Sequence, residues 1–160
     1  MARWCFVLAL FLVGCSSDPV PVVTQYSLAI KSDKSVNPSE SNDSNPVVVR
    51  LYQLTDAQMF KQQPFIELYD NDVQLLSANM ISKQILPVII PGSDQTMTLD
   101  INKQTQYVAV FVEFIKYQKS SPKAVSMLPT KTDDYLQLTL SGDAAKLEII
   151  TPASPWWKLF

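Results

Sequence analysis

The chain has 160 residues, a formal charge of −2 at neutral pH and no Lys/Arg-dense stretch, so it lacks the phosphate-neutralising surface that nucleic acid requires. It contains no histidine, which excludes a Ser-His-Asp triad, an imidazole base and any histidine metal ligand. Its three glycines stand apart, at 14, 92 and 142, and cannot form a phosphate-cradling loop, so no catalytic, metal or cofactor residue is assigned.

Arg3, the uncharged run from Trp4 to Val13 and the small Gly14 are the three parts of a secretory signal peptide. Ten residues rise about 15 Å as a helix, half of a bilayer core of roughly 30 Å, so this run does not span one. It stops on Cys15. Leu12-Val13-Gly14-Cys15 resembles the lipobox of bacterial lipoproteins. The resemblance implies that the Cys15 sulfur carries lipid, that residues 1–14 are removed and that the new amine is acylated. Ser16, where an aspartate would retain such a protein at the inner membrane, implies outer-membrane sorting. Cys5 leaves with the signal, and the remaining chain has no disulfide. An ordinary signal with a chance cysteine, or a Cys5–Cys15 disulfide, is the competing reading.

Residues 15–23 then read as a short Pro-rich tether holding the domain within roughly 25 Å of the membrane. From residue 24 the pattern has period two. Tyr26, Leu28 and Ile30 share one face, as do Met97, Leu99 and Ile101, and again Leu136, Leu138 and Leu140, so each stretch predicts a half-buried strand. Tyr107 to Ile115 is apolar on both faces except at Glu113, which predicts a central strand. Residues 83–90 predict another, placed at a sheet edge by Pro87. Turns at Pro91-Gly92-Ser93-Asp94 and Ser141-Gly142-Asp143 predict hairpins, each with the strand next in the chain, and Lys146 to Ile150 closes the series. Seven or eight short strands over 24–160 predict an antiparallel two-sheet β-sandwich.

A helical insertion is expected near 55–80. Thr55-Asp56-Ala57-Gln58 fits a capping box, Pro64 suits a second helix start, and Phe65, Leu68, Tyr69, Leu75 and Leu76 fall near helical spacing. Asp70 and Asp72, and Asp133 and Asp134, read as turn residues; a calcium site or a carboxylate pair across a cleft is the alternative. Lys116, Lys119 and Lys123 read as a solvated loop.

Ser32 to Asn45 is a fourteen-residue polar stretch with one apolar member, Val36, between strands that a two-residue turn could join. Such a loop is either a connector or a binding surface. Trp156, Trp157 and Phe160 read as an aromatic cluster for the domain's own core, a partner or the lipid interface.

The lipobox, Asn37-Pro38, the block Asn45-Pro46-Val47-Val48-Val49-Arg50-Leu51-Tyr52-Gln53-Leu54, Leu68-Tyr69 with Asp72, the Pro91-Gly92 turn and Tyr107-Val108-Ala109-Val110 together resemble the outer-membrane lipoprotein of type VI secretion systems, the TssJ class. The resemblance implies a transthyretin-like sandwich, lipid-anchored in the outer membrane and facing the periplasm. It implies as partner the periplasmic C-terminal domain of the inner-membrane core protein (TssM class), gripped by the loop after the first strand. Here that loop contains Val36, Asn37, Pro38, Ser39, Glu40 and Ser41. Val36 near Pro38 would be a small apolar anchor, Glu40 and Asp43 a polar rim, and the loop would contribute little to the fold. A pilotin-like escort lipoprotein and a ligand-binding or glycan-active lipoprotein are the rival classes.

Overall fold

The alternating stretches form eight strands: β1 (Val23–Ser32), β2 (Val49–Leu54), β3 (Met80–Ile85), β4 (Asp94–Asn102), β5 (Tyr107–Val112), β6 (Lys123–Met127), β7 (Tyr135–Ser141) and β8 (Ala144–Ile150). Two helices, α1 (Gln58–Gln62) and α2 (Phe65–Leu76), fill the connection between β2 and β3. The structure, a computed structural model, describes residues 22–153; the expected signal, Cys15 and the Trp156-Trp157 segment lie outside the described residues.

Two four-stranded sheets face each other, ordered β4-β1-β7-β8 and β3-β2-β5-β6. Among these strands every pairing but one is antiparallel. β1 and β7 run parallel, with Leu28 opposite Leu136 and Ser32 opposite Leu140, so the expected antiparallel sandwich is a mixed one. Leu28, Ile30, Leu99, Leu136, Leu138 and Leu140 pack from one sheet against Val49, Leu51, Val108, Val110 and Val112 from the other. Alternation sends the next residues of β2 and β5 outward, where Tyr52, Leu54, Ala109 and Phe111 meet Phe60, Leu68 and Leu76 of the helices. β5 is thus buried on both faces and central, as its unbroken apolar run predicts.

Polar side chains stitch the two layers at one end. Gln53 is buried between them, donating to the Asp100 carbonyl at 2.9 Å and accepting from the Asn102 amide at 2.8 Å and the Thr105 hydroxyl at 2.9 Å.

Three local expectations are corrected. The capping box does not form: Ala57 is the N-cap of α1 without a side-chain bond, Asp56 accepts from the Gln58 amide, and Thr55 donates to the Asn79 carbonyl instead. Residues 83–90 do not form a hairpin with β4. β3 is an edge strand ending before Pro87, whereas β4 belongs to the other sheet, and the Gly92 amide donates to Asp33 beside the end of β1. Lys123 is not in a solvated loop. It sits on β6 and its ammonium caps α1, donating to the carbonyls of Lys61 and Gln63 at 2.7 Å each. The β7–β8 hairpin forms as expected, its two-residue turn opened by Gly142 at φ +53.

Leu138 lies at the centre of the layer between the sheets and is fully buried. Leu138→Ala should therefore cost about 2–5 kcal/mol in urea denaturation, typical of a buried leucine truncated in a packed core. Dithiothreitol should leave the melting temperature of residues 15–160 unchanged, because Cys15 is their only cysteine.

Candidate functional site

Residues 33–48 join β1 to β2 across one end of the sandwich, and they are built rather than slack. Val36 is 0% exposed and packs in the inter-sheet core, while Asn37 is buried at φ +53, a left-handed conformation that asparagine tolerates better than most residues. Asn37 gathers the surrounding chain. Its amide donates to the Gly142 carbonyl at 2.8 Å and its side-chain nitrogen to the Pro46 carbonyl at 2.9 Å. Its side-chain oxygen accepts from the Ile115 amide at 2.8 Å, and its carbonyl accepts from Asn45 at 3.2 Å. The expectation of a loop with little to bury is thus overturned at Val36 and Asn37. Val36 is a core residue, not an exposed anchor.

Beyond this foot the loop forms a small closed tip. Pro38 bridges Ser44, the Ser39 amide donates to the Asp43 carbonyl at 2.8 Å, and the Asn42 amide donates to Ser39 at 3.0 Å with Asn42 at φ +65. Pro38 and Ser39 are half-buried; Glu40, Ser41, Asn42 and Asp43 face solvent. Asp33 ties the base to the end of β7, accepting from the Ser141 hydroxyl and from Ser35. Burial alone would raise its carboxyl pKa, but these donors hold it below the ordinary value.

A cleft of about 550 Å³ opens beside the tip, lined by Glu40, Ile115, Lys116, Tyr117, Lys119 and Asp143. Ile115 is 51% exposed there, and Tyr117 stacks on Phe65 of α2 with ring centroids 4.7 Å apart. The sequence gives one signal for this wall, an apolar Ile115 stranded among lysines.

Asp70 and Asp72, expected at a turn, are both in α2. Asp70 is exposed, whereas Asp72 is buried and accepts through one oxygen from Arg50 at 3.0 Å, Tyr52 at 2.5 Å and Lys83 at 2.6 Å. Its other oxygen accepts from the Val73 amide at 2.7 Å, so its acceptor sites are occupied by the protein itself. Arg50 also pairs with Glu113 at 2.6 Å and donates to the Tyr69 carbonyl at 2.9 Å, just before Asn71 leaves helical geometry. Burial would raise the Asp72 pKa, but Lys83, Tyr52 and Arg50 outweigh it and hold the carboxyl below its ordinary value. Burial and the neighbouring carboxylate push the Tyr52 phenol up, which keeps it a neutral donor. This cluster fastens α2 across β2 and β3; it is a clamp.

The fold and its two polar centres define an eight-stranded sandwich that presents a stiff loop at one end and a helical insertion on one outer face. Residues 24–143 match the family described as type VI secretion lipoprotein (VasD, EvfM, TssJ, VC_A0113), and the chain belongs to that family. The crystal structure of the lipoprotein TssJ1 from Pseudomonas aeruginosa superposes with a TM-score of 0.72 at 19% identity, over 84% of this chain and 100% of that one. Serratia marcescens Lip, a membrane-bound component of the type VI system, gives 0.69 at 16%, over 79% and 97%. A structure described as the TssM C-terminal domain (869-1107) from EAEC holds a chain matched at 0.62 and 18%, over 82% and 100%. These identities speak for the shared fold. No curated protein matches the chain in sequence.

Asp72→Asn leaves Lys83 without its carboxylate and Arg50 with Glu113 alone, and removing one member of a buried ion cluster typically costs about 3–5 kcal/mol. The folded pKa of Asp72 lies below that of the unfolded chain, so its stabilisation is present above about pH 4 and is lost as pH falls through the depressed value. Urea titrations of the two proteins should accordingly differ most at pH 7, and the gap should narrow below pH 4.

Proposed function

We propose that the chain is lipid-anchored at Cys15 in the outer membrane, faces the periplasm, and recruits the periplasmic C-terminal domain of the TssM-class inner-membrane core protein through the tip of the loop after β1. The role is mechanical: it joins two membranes' components and uses no catalytic group. Residues 1–14 act as the cleaved signal and residues 15–23 as the tether.

The observation that carries this reading is the polarity of β1. Val23, the end nearer Cys15, lies opposite Asn102, and nine residues later Ser32 leads into the loop at the other end of the strand, about 30 Å away. Anchor side and loop therefore occupy opposite poles. A partner approaching from the far membrane would meet the loop pole first.

Two further features support the surface. The tip is closed by its own hydrogen bonds and seated on Asn37, so little conformational entropy remains to be lost on binding. Its solvent-facing Glu40 lines the cleft with Ile115, Lys116, Lys119 and Asp143, giving a mixed polar rim around an apolar contact, and Asp43 faces solvent on the same tip. The matched chain in the structure described as the TssM C-terminal domain is covered completely by 82% of these 160 residues, far fewer than 869–1107 spans. A chain of this fold in a structure bearing that name supports a TssM-type partner.

Glu40→Lys with Asp43→Lys alters only exposed side chains and should leave the melting temperature within a degree or two. Calorimetry against the partner's periplasmic domain should show affinity weakened at least about tenfold, or about 1.4 kcal/mol. Undiminished affinity would move the contact away from the tip. Cys15→Ser should abolish palmitate labelling and release the protein from the membrane fraction; a variant still in the membrane would refute the anchor.

A further inference from the structure

We propose that a notch beside the first half of β1 takes up an extended segment of a second protein as an added strand, with an apolar side chain of that segment directed between the sheets. The notch lies at the opposite end of β1 from the loop tip. The inference rests neither on the reading of that tip nor on lipid at Cys15.

The ladder fixes which backbone groups face the notch. The Val22 carbonyl accepts from the Lys103 amide at 3.2 Å, and the Ser32 amide donates to the Ser93 carbonyl at 3.0 Å. The β1–β4 register is unbroken between them, so the even-numbered residues of β1 turn their backbone groups toward β4. The odd-numbered residues turn theirs toward β7, and just past the strand the Asp33 amide donates to the Leu140 carbonyl at 3.0 Å in the same sense. β7, however, starts at Tyr135 and first pairs with β1 at Leu136 and Leu28. Nearer the start of β1, Val23, Gln25 and Ser27 aim their amides where β7 has not begun. Among the described residues no backbone bond joins these three to residues 129–134, the chain that runs into β7. Val23 to Ser27 is thus about 13 Å of open strand edge on an interior strand.

The space beside that edge is large enough for a peptide. A cavity of about 460 Å³ lies between residues 24–27 and residues 129–135, within the roughly 300–1,000 Å³ of ligand pockets. It shares Thr24 and Tyr26 with a smaller groove of about 140 Å³ between Tyr26, Ile101 and Leu128, at the mouth of the inter-sheet core. Added strands draw affinity from main-chain bonds and specificity from pockets for alternate side chains. The open edge supplies the bonds, and the groove offers a pocket to one aliphatic side chain. Asp134 adds a preference. Its Oδ1 is buried with no hydrogen-bond donor among the described residues, whereas buried acceptors are ordinarily paired. The wall also carries two carboxylates, Asp133 and Asp134, against one cation, Lys131. The segment that fits is therefore one of alternating apolar and polar residues with a cationic side chain at this wall.

The probe is an acetylated hexapeptide of alternating valine and threonine with a lysine at one end, titrated into residues 15–160 carrying Cys15→Ser. Hydrogen exchange should slow at the amides of Gln25 and Ser27, and exchange at residues 39–43 should not change. The same peptide with methylated backbone amides should bind at least about tenfold more weakly. Gln25→Pro removes an amide that the β4 ladder does not use, so the melting temperature should stay within a few degrees while peptide affinity falls to the same extent. If that variant is destabilised, the methylated probe still decides. Unchanged exchange at Gln25 and Ser27 overturns the proposal, and so do equal affinities for the two peptides. Amides at 25 and 27 already protected without peptide also overturn it, because the chain then covers the notch itself.

Discussion

Everything at the loop pole hangs on Asn37. One buried asparagine in a left-handed conformation bonds the β7–β8 turn through its amide, the chain entering β2 through its side-chain nitrogen, and the cleft wall through its side-chain oxygen. Three segments distant in sequence share a single residue as their fixed point. Each of these bonds is buried or partly so, and breaking one strands a polar group away from water, at about 1–3 kcal/mol each. The position of the tip is therefore set by the core beneath it, while its own hydrogen bonds close it.

The same economy governs the rest of the domain. With no cysteine after Cys15, the domain must hold two sheets and a helical flap by packing and a few buried polar ties. Gln53 fastens the sheets at the anchor pole, Asn37 at the loop pole, and Asp72 fastens the flap across β2 and β3. β2 contributes to two of these, with Arg50 and Tyr52 outward and Gln53 inward. β2 closes the stretch from Asn45 to Leu54, the longest of the family resemblance, and is the strand where both fastenings meet. The proposed mechanical role would draw on this kind of body, one whose two poles keep a fixed separation.

Much of the fold was legible because leucine and valine alternate with polar residues where one face is buried: β1, β4 and β7 follow directly from that period, and β5 from its absence. The parallel β1–β7 pairing was not legible, since alternation does not record strand direction. β6 was hidden because its five residues are nearly all half-buried, and Lys123 spends its charge on helix carbonyls instead of water. Asp70-Asn71-Asp72 looks like a turn because it is nearly one: α2 kinks at Asn71, and tertiary contacts from Arg50, Tyr52 and Lys83 keep Asp72 inside. In the candidate site, composition correctly marked residues 32–45 as unusual but misjudged Val36, since a single buried valine is invisible to an average over fourteen polar residues. The wall from Ile115 to Lys119 became visible only once Asn37 had drawn it to the loop.

The central claim is that the loop pole, and not the helical face, meets the periplasmic partner. Amide hydrogen exchange, compared with and without the partner's C-terminal domain, tests it most directly. The account predicts slowed exchange at residues 39–43 and 115–119, with the amides of α1, α2 and β3 unchanged. Protection confined to α2 or the β3 edge, with residues 39–43 exchanging as in the free protein, would contradict it.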